Sequence, residues 1–584
     1  MLPLFLLLLS HSLPITTQST PPTCKSHPSL PTWPSPALWS SLNTTLSGRL
    51  LSPTPPGAPC HPTHPTLYSP TLCPSLQTAW FTEAFHTSDP VSSYWNNFNN
   101  DSCLPDPRAP CTGAGYPVYV INATSVADVK AGVDFAREHG VRLIVKNSGH
   151  DFVGRSSAPG SLSIWVHHLR GVEEFKEGYT LQGERCKGKK VEGHAVRLGA
   201  GMQMVDVYRE TGRMGRTVVG GNGRTVAMGG FITGGGHSIL AARWGMAADR
   251  VVEVEVVTPD GVVRVVNECE GEELFWALRG GGGSTFGVLT SVTLLTIPSP
   301  AVTTLTFQFA TTASNPSAFL AIAHFVSAFP ALADAGVTGY PIIFNSVPST
   351  SNPQRLVSGV IGILIMLDAP SPSTILSHVQ PLFTHINITY PGQFEFYTDV
   401  TSHKDFAAWY EDNFDPSPVG YSSVMASRLL DKEALTGNVT VLKTALERFS
   451  AGGQATVYIV SGKGVFEAQP RGGGTAVHPA WRRTYVHATT SVSFPALDAK
   501  ARDAAIKASN LYADGLRELA PGTGAYVNEA SKYEPGNWQK TFWGDNYERL
   551  LKLKREVDPN DVFWCQPCVG NERWQEVGDM LCRV

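Results

Sequence analysis

The sequence has no excess of basic residues, which limits the partners that it can bind. Lys and Arg number 45, Asp and Glu number 49, and the formal net charge is -4. Proteins that bind nucleic acid usually carry a basic surface, so this balance argues against a nucleic-acid partner. After its N-terminal residues the chain also lacks an apolar run long enough to span a bilayer, and we expect no membrane anchor.

Two common phosphate-binding motifs are absent as well. Neither the dinucleotide fingerprint GxGxxG nor the phosphate loop GxxxxGK(S/T) occurs in the chain. Glycine is nevertheless concentrated in two neighbouring loops, Gly220–Gly230 and Gly234–His237. Because glycine permits positive φ and a close approach of the backbone to a ligand, these loops can either wrap an extended ligand or simply form tight turns.

The most informative segment is Lys146–Asp151, which follows the apolar, strand-like run Arg142–Val145. A strand that ends in glycine and small polar residues exposes successive backbone N–H groups, and these can bind an anion such as a pyrophosphate. His150 lies at the lip of this predicted loop, where its imidazole can reach a bound ligand. A histidine in a loop is otherwise an ordinary surface residue.

Local patterns predict several elements of the central part of the chain. Ser125 and Asp128 form a capping pair for a helix that ends at Gly140, and the strand Val141–Lys146 follows, which indicates a β-α-β unit. Further on, two β-branched runs flank Pro259–Gly261, and an Asp-Gly turn between such runs predicts a β-hairpin.

Composition divides the chain into five parts, as expected for a length that exceeds a single core. Residues 1–19 form a predicted signal peptide, and residues 20–111 a disulfide-bearing extension of irregular structure, rich in Pro, Ser and Thr. Residues 112–298 form a mixed α+β domain that contains the glycine loops. Residues 299–520 form a second domain with its own sheet, and residues 521–584 a C-terminal segment rich in aromatic and charged residues.

Several features predict a secreted, glycosylated protein. The run Leu2–Leu9 is too short to span a bilayer and is typical of the core of a signal peptide. Ten cysteines, an even number, favour disulfides. Cys565 and Cys568 could form part of a zinc site, but no second pair lies near them, so we interpret them as disulfide cysteines and predict no metal. The N-glycosylation sequons are at Asn43, Asn100, Asn122, Asn387 and Asn438.

The chain resembles FAD-linked oxidases of the vanillyl-alcohol oxidase / p-cresol methylhydroxylase (PCMH) type over about residues 112–575. The segments similar to the flavin domain are, in order, Lys146–Asp151, Gly220–His237, Trp244–Asp249 and Leu274–Gly282. The tail resembles the berberine bridge enzyme-like C-terminus in Tyr526–Glu529, Trp543–Tyr547, Lys554, Asp558–Pro559 and Phe563. Ser161–Trp165 is similar to the secreted fungal subgroup called isoamyl alcohol oxidase-like.

This resemblance implies a fold and a cofactor. The fold is a two-lobed α+β structure, in which a PCMH-type FAD-binding domain is joined to an α/β substrate domain with an antiparallel sheet. The C-terminal segment is expected to return to the FAD-binding domain. The cofactor is FAD, bonded covalently to His150 through the flavin 8α-methyl group. Many relatives add a cysteine bond to flavin C6, but Gly223 occupies that position here, so we predict a single bond.

The same resemblance implies the residues around the cofactor and the electron acceptor. A valine at the position of Val226 goes with oxidase activity in the family, which implies dioxygen as the acceptor. His237 and Asp249 are interpreted as part of the cofactor shell rather than as catalysts. The predicted cofactor-binding residues, besides His150, are Lys146, Asn147, Ser148, Gly149, Asp151, Gly223, Thr225, Val226, Gly230, Gly235, Gly236, His237, Asp249 and Asn528.

Oxidation of an alcohol requires a group that accepts a proton while the flavin accepts a hydride. A free alkoxide is inaccessible near neutral pH, and a positioned base accelerates such a step by ~10²–10⁴-fold. Tyr526 matches the active-site tyrosine of the family and is the predicted base, with Glu529 as the alternative. The competing interpretation of Tyr526 is a packed side chain with a bonded hydroxyl.

We therefore expect a secreted, monomeric, FAD-dependent oxidase of an alcohol or a carbohydrate, which reduces dioxygen to hydrogen peroxide. One alternative is an oxidative cyclase or desaturase of a secondary metabolite. Another is a secreted flavoprotein without catalytic activity, against which the combination of His150 and Val226 argues. The small-molecule substrate is not identified by the sequence of residues 299–520.

Overall fold

The structure is a computed structural model that describes residues 23–584. The predicted signal peptide, residues 1–19, lies outside the described residues. Helices alternate with mostly antiparallel sheets along the chain, which confirms the predicted α+β class. Within residues 23–584, no helix combines the length and the apolar character needed to cross a membrane.

The first sheet contains the predicted β-α-β unit. Helix Val126–His139 begins with the capping box of Ser125 and Asp128 and is followed by Gly140 at φ +61°. A left-handed residue of this kind ends a helix at little cost when it is glycine. The four strands lie in the order Leu50–Leu51, Tyr119–Asn122, Leu162–Trp165 and Leu143–Lys146, the last three being parallel. The loop that carries His150 starts where this last strand ends.

A second sheet has five antiparallel strands and includes the predicted hairpin. Val257 pairs with Val263 beside the Asp-Gly turn, and the short helix Glu272–Ala277 follows the hairpin. The strand order is Val263–Asn267, Val251–Val257, Val288–Leu295, Ala195–Gly199 and Val172–Phe175. Further helices in this part of the chain are Met204–Arg213, Met228–Gly234 and Ala241–Trp244.

The third sheet has eight antiparallel strands, so the second domain has the antiparallel sheet that was predicted for it. Its main path runs through Glu395–His403, Val302–Thr312, Leu356–Leu367, Val337–Gly339, Gln454–Ile459, Thr484–Phe494 and Ser422–Asp431. Strand Ile342–Pro348 pairs with two of them. One face of the sheet forms an apolar core with the helices Ala318–Ser327, Phe329–Asp334, Pro372–Thr389, Val439–Phe449 and Ala499–Leu519. Several side chains of the opposite face line the main cavity described below.

The C-terminal segment packs against the loop Gly280–Thr285. Trp543 Nε1 donates a hydrogen bond of 3.1 Å to the carbonyl of Gly280. In helix Tyr547–Val557, the buried Lys554 ammonium donates to the carbonyls of Thr285 and Phe563 and to Asp558 Oδ2. Because all three ammonium hydrogens have acceptors, this buried charge fixes the tail to the glycine loop.

The N-terminal extension is more regular than its composition predicts. It contains the helices Pro36–Thr45, Cys73–Ala79 and Glu83–Ser88. Trp39 and Leu42 pack in one core with Val129 and Val133 of the first helix of the β-α-β unit. The surrounding Pro and Ser residues obscure this short apolar stripe in the sequence. They do not prevent the helix, because proline is acceptable in the first turn of a helix.

All ten cysteines form disulfides, as their even number predicted. The bond Cys24–Cys582 joins the two ends of the described chain, and Cys565–Cys568 closes the CxxC pair of the tail. The remaining pairs are Cys60–Cys73, Cys103–Cys111 and Cys186–Cys269. None of the ten thiols is therefore free to bond to a cofactor.

Candidate active site

A cavity of ≈ 530 Å³ lies between the glycine loops and the open face of the eight-stranded sheet. Binding sites for small molecules have volumes of about 300–1,000 Å³ and combine an apolar lining with a few polar groups. The sheet contributes Ile342, Ile363, Thr456 and Tyr458 to this cavity, and Tyr340 lies in the short link between two of its strands. Opposite them lie twelve of the predicted site residues, namely Asn147, Ser148, Gly149, His150, Asp151, Gly223, Val226, Gly230, His237, Tyr526, Asn528 and Glu529.

The other five predicted residues, Lys146, Thr225, Gly235, Gly236 and Asp249, lie behind the cavity wall. Lys146 is fully buried, and its Nζ donates to the carbonyls of His86 at 3.1 Å and Asp89 at 2.8 Å. Burial lowers the pKa of this ammonium to about 7. Lys146 therefore anchors the loop to the N-terminal extension and does not point toward a ligand.

Asp249 and the two glycines act on the site through neighbouring groups. Asp249 accepts two hydrogen bonds of 2.8 Å from Arg482 and one from the backbone N–H of Met246, which holds this turn. Gly236 has φ +71°, and a Cβ there would lie 2.6 Å from the Phe231 ring, so only glycine fits. Gly235 is likewise left-handed, at φ +114°.

His150 is held from the side of the N-terminal extension. Glu83 Oε1 lies 3.6 Å from His150 Nε2, and the Tyr94 and His150 rings are 4.7 Å apart between centroids. Burial by itself would lower the pKa of His150, but the carboxylate of Glu83 outweighs it and raises that pKa. Thr225 contacts both Glu83 and Tyr94 through its hydroxyl. Sequence patterns did not indicate Glu83 or Tyr94, because neither belongs to a motif.

Gly223, at which the resemblance led us to predict no second flavin bond, lies beside His150. A Cβ at Gly223 would be 3.2 Å from His150 Nε2 and 3.2 Å from Val226 Cγ2. Such contacts are tighter than usual. Glycine, which has no side chain, therefore allows the backbone to approach the imidazole closely at this position. Val226 lines the cavity at the same place.

Tyr526 is buried and lines the cavity. The hydroxyl accepts hydrogen bonds from the backbone N–H of Gly236 at 3.2 Å and from Asn528 Nδ2 at 3.1 Å. Burial and the charge of Glu529 raise the pKa of Tyr526, while these two hydrogen bonds oppose the rise. Since both bonds are accepted by the oxygen, neither of them uses the hydroxyl's own proton.

Glu529 is shared by two imidazoles. Its Oε1 accepts from His237 Nε2 at 2.9 Å, and its Oε2 accepts from His487 Nε2 at 3.0 Å. Burial would raise the pKa of this carboxyl, but the two histidines hold it well below its usual range. His487 is fully buried in strand Thr484–Phe494, and nothing in that alternating strand sequence distinguished it as a site residue. Glu529 is therefore a stable anion rather than an available base.

Arg155 connects the His150 loop to the tail. It donates to Asp151 Oδ1 at 2.7 Å and to Asn528 Oδ1 at 2.9 Å. The spacing of Asp151 and Arg155 is an i,i+4 pair, a signal that the sequence does contain. Four buried polar atoms of the cavity lining lack a hydrogen-bond partner within residues 23–584, namely Arg155 Nη1, Asn147 Oδ1, Asn222 Oδ1 and His237 Nδ1. Because buried polar groups are rarely unpaired, these atoms fit a polar ligand.

Comparisons with known proteins agree with this geometry. Residues 117–289 match the FAD binding domain family, and residues 525–570 match the berberine and berberine-like family. An uncharacterized FAD-linked oxidoreductase of Arthroderma benhamiae is 35% identical over 96% of each chain. The chain belongs to the vanillyl-alcohol oxidase and berberine bridge enzyme-like family of FAD-linked oxidoreductases. It is therefore an FAD-dependent oxidoreductase.

Two further proteins are similar to this FAD-linked oxidoreductase. The bifunctional decalin synthase calF of Penicillium decumbens is 32% identical over 96% of each chain. The crystal structure of the VAO-type flavoprotein MtVAO713 from Myceliophthora thermophila C1 superposes with a TM-score of 0.88 at 29% identity, over 97% of this chain and all of the other. The expected VAO-type fold is thereby confirmed.

The residues present fit FAD. The glycine-rich wall gives the backbone close access to a ligand, and at Gly230 a Cβ would meet nothing within 4 Å. The unpaired polar atoms of Arg155 and Asn147 are suited to the ribityl and phosphate oxygens of a flavin nucleotide. An extended ligand with one flat ring system matches a cavity that continues from the His150 loop to the sheet.

Proposed function

We propose that this protein is a secreted FAD-dependent oxidase that removes a hydride from the C–H bond of an alcohol or carbohydrate and passes the electrons to dioxygen, which gives hydrogen peroxide. The observation that carries the proposal is the convergence of His150, Val226 and Tyr526 on one cavity. The domain assignment of the sequence analysis belongs to this proposal, with residues 112–298 as the FAD-binding domain and residues 299–520 as the substrate domain.

The His150 loop and the glycine loops would hold the FAD, which supplies the hydride acceptor when bound. We infer one covalent bond, from His150 to the flavin 8α-methyl group. The pairing of every cysteine in a disulfide supports a single bond, as does the glycine at position 223. Arg155 and Asn147 would bind the polar chain of the cofactor. Lys146, Thr225, Gly235, Gly236 and Asp249 would keep the binding loops in place from behind.

Tyr526 is proposed as the group that accepts the substrate hydroxyl proton. Its side chain lines the cavity, and the two hydrogen bonds that its hydroxyl accepts stabilise the tyrosinate. Glu529 is less suited to that role because its two oxygens are already engaged by His237 and His487. We assign to Glu529 the task of orienting these two imidazoles beside Tyr526, whose ring lies 5.2 Å from that of His237.

Secretion and the acceptor complete the proposal. The five disulfides fit an oxidising compartment. Asn100, Asn387 and Asn438 are exposed sequon positions that could carry glycans, whereas Asn43 and Asn122 are half-buried. Val226 on the cavity wall favours dioxygen as the acceptor, following the family pattern. We propose a monomer that acts on a small molecule.

A second candidate function is oxidative cyclisation or desaturation of a secondary metabolite. The similarity to a protein named decalin synthase favours it, since the alignment with that relative covers 96% of this chain. Both functions use the same cavity and differ in the fate of the oxidised substrate. The experiment that separates them measures peroxide yield and organic products for pure holoenzyme with a panel of alcohols, sugars and phenols. If the holoenzyme forms peroxide only together with a ring-closed or desaturated product, the second function is favoured.

A further inference from the structure

The acidic partner of His150 comes from outside the proposed flavin domain. Glu83 is the first residue of helix Glu83–Ser88, and Thr82 caps this helix by accepting a hydrogen bond from the Phe85 N–H. The cap fixes the start of the helix, so the Glu83 carboxylate is directed at His150, with 3.6 Å between Oε1 and Nε2. Both side chains are largely buried, at 16% and 20% exposure.

The second oxygen of the Glu83 carboxylate is also engaged. Thr225 Oγ1 donates to Glu83 Oε2 at 2.7 Å, and Tyr94 forms a short hydrogen bond to the same Thr225 hydroxyl. A hydroxyl has a single proton, so Tyr94 donates to Thr225 and Thr225 donates to Glu83. This chain of two hydroxyls leaves the carboxylate with one orientation, in which Oε1 faces the imidazole.

The arrangement selects one tautomer of neutral His150. A carboxylate next to Nε2 favours a proton on Nε2, which leaves the lone pair on Nδ1. Within residues 23–584, Nδ1 has no hydrogen-bond partner, and the imidazole lines the cavity. The other charged groups that act on this ring are Asp415 and Glu529, both acidic, while Arg224 acts on Glu83. A neutral imidazole with a free Nδ1 lone pair is the form that can attack an electrophilic carbon.

We propose that Glu83, which the N-terminal extension supplies, is a positioning residue for covalent attachment of the flavin to His150. This role rests on the histidyl bond of the proposed function. Bond formation joins His150 Nδ1 to the 8α carbon of the flavin. The imidazole gives up its Nε2 proton toward Glu83, and the methyl carbon gives up one proton. Two protons and two electrons reduce the flavin, and dioxygen then removes them as hydrogen peroxide.

The test follows covalent attachment itself, not turnover. Protein produced without flavin is mixed with FAD and dioxygen, and bound flavin is measured by in-gel fluorescence after denaturation. Glu83→Gln keeps the size of the side chain and an acceptor for Thr225 but removes the charge. General acid–base assistance is worth ~10²–10⁴-fold, so we expect attachment to slow by about 10²-fold in Glu83→Gln. Asp106→Asn, an exposed carboxylate of the same extension, is the matched control and should attach FAD at the wild-type rate.

A pH profile separates this role from a merely structural one. Attachment requires a neutral imidazole, so its rate should rise with pH as His150 loses its proton. Because the Glu83 charge raises the pKa of His150, the midpoint of this rise should move to lower pH in Glu83→Gln. Glu83→Asp, which keeps the charge, should restore most of the rate and the wild-type midpoint.

Two results would overturn the proposal and are distinguishable. Attachment by Glu83→Gln at the wild-type rate and midpoint would reject the role of Glu83 and leave the histidyl bond standing. Release of all FAD from the denatured wild type would reject the histidyl bond, and the role of Glu83 with it. If Glu83→Gln does not fold, Glu83→Asp is compared with wild type instead. Because Glu83→Asp keeps the charge, a shifted midpoint in the pH dependence of attachment would also contradict the role of Glu83.

Discussion

Replacement of Tyr526 by phenylalanine is the sharpest test of the proposed proton acceptor. The change keeps the ring packed between His237 and Trp481 and removes only the hydroxyl. If the hydroxyl accepts the substrate proton, flavin reduction by substrate should slow by about 10²-fold or more, since that is the range of general base catalysis. Reoxidation by dioxygen involves no substrate proton and should stay near normal.

The structural cost of Tyr526→Phe can be worked out separately. The backbone N–H of Gly236 and Asn528 Nδ2 lose their shared acceptor. An unsatisfied buried donor costs ~1–3 kcal/mol, so a modest loss of stability is expected in denaturant unfolding. Tyr208→Phe is the matched control, because this buried tyrosine donates to the Gly221 carbonyl at 3.0 Å from behind the cavity wall. The control should lose similar stability and keep its rate of flavin reduction.

Stopped-flow spectroscopy resolves the two half-reactions. Because burial and the charge of Glu529 raise the pKa of Tyr526, little tyrosinate exists near neutral pH, and the reduction rate of wild type should rise with pH into the alkaline range. The dependence should disappear in Tyr526→Phe. Flavin reduction by Tyr526→Phe at the wild-type rate and with the wild-type pH profile would refute the assignment.

Three other variants probe the cofactor bond, the buried charges and the tail. His150→Ala should release its FAD on acid precipitation. Digestion of the wild type should yield a flavin peptide that contains His150, and a cysteinyl-flavin peptide would contradict this prediction. Lys554→Met leaves the fully buried Asp558 carboxylate unpaired and should cost about 3–5 kcal/mol in unfolding free energy, while an unchanged value would reject the pairing. The pKa of Glu529 is depressed in the folded protein, so the ionised carboxylate should stabilise the fold above its ordinary pKa of 4.5. This contribution should be lost as the pH falls toward the pKa of the folded state. The free energy of unfolding of Glu529→Gln should therefore differ from that of wild type at neutral pH and converge with it in acid.

Local features of the fold were predictable from the sequence. The helix Val126–His139 carries its own capping box and terminal glycine, and the hairpin at Pro259–Gly261 is defined by adjacent residues. The helix Pro36–Thr45 was not predicted, because its stability depends on the contact of Trp39 with a distant helix rather than on local propensity.

The candidate site was predictable only in part, for the same physical reason. Residues that belong to the Lys146–Asp151 segment, to the glycine loops or to the tail motif could be named, and twelve of them line one cavity. Glu83 and His487 interact with His150 and Glu529, their partners 67 and 42 positions away in sequence, through side chains alone. No spacing rule relates such residues, since tertiary packing brings them together. Lys146 was predicted to bind the cofactor as part of the segment Lys146–Asp151. Its ammonium instead donates to carbonyls of the N-terminal extension, a contact that tertiary packing also creates.

The proposed use of dioxygen as the electron acceptor can be tested without knowledge of the substrate. Pure holoenzyme is reduced anaerobically with dithionite in an equimolar amount and then mixed with buffers of known dioxygen concentration, while flavin absorbance and peroxide are recorded. We expect fast reoxidation that is first order in dioxygen and yields one hydrogen peroxide per flavin. Reoxidation no faster than that of free reduced FAD would contradict this expectation.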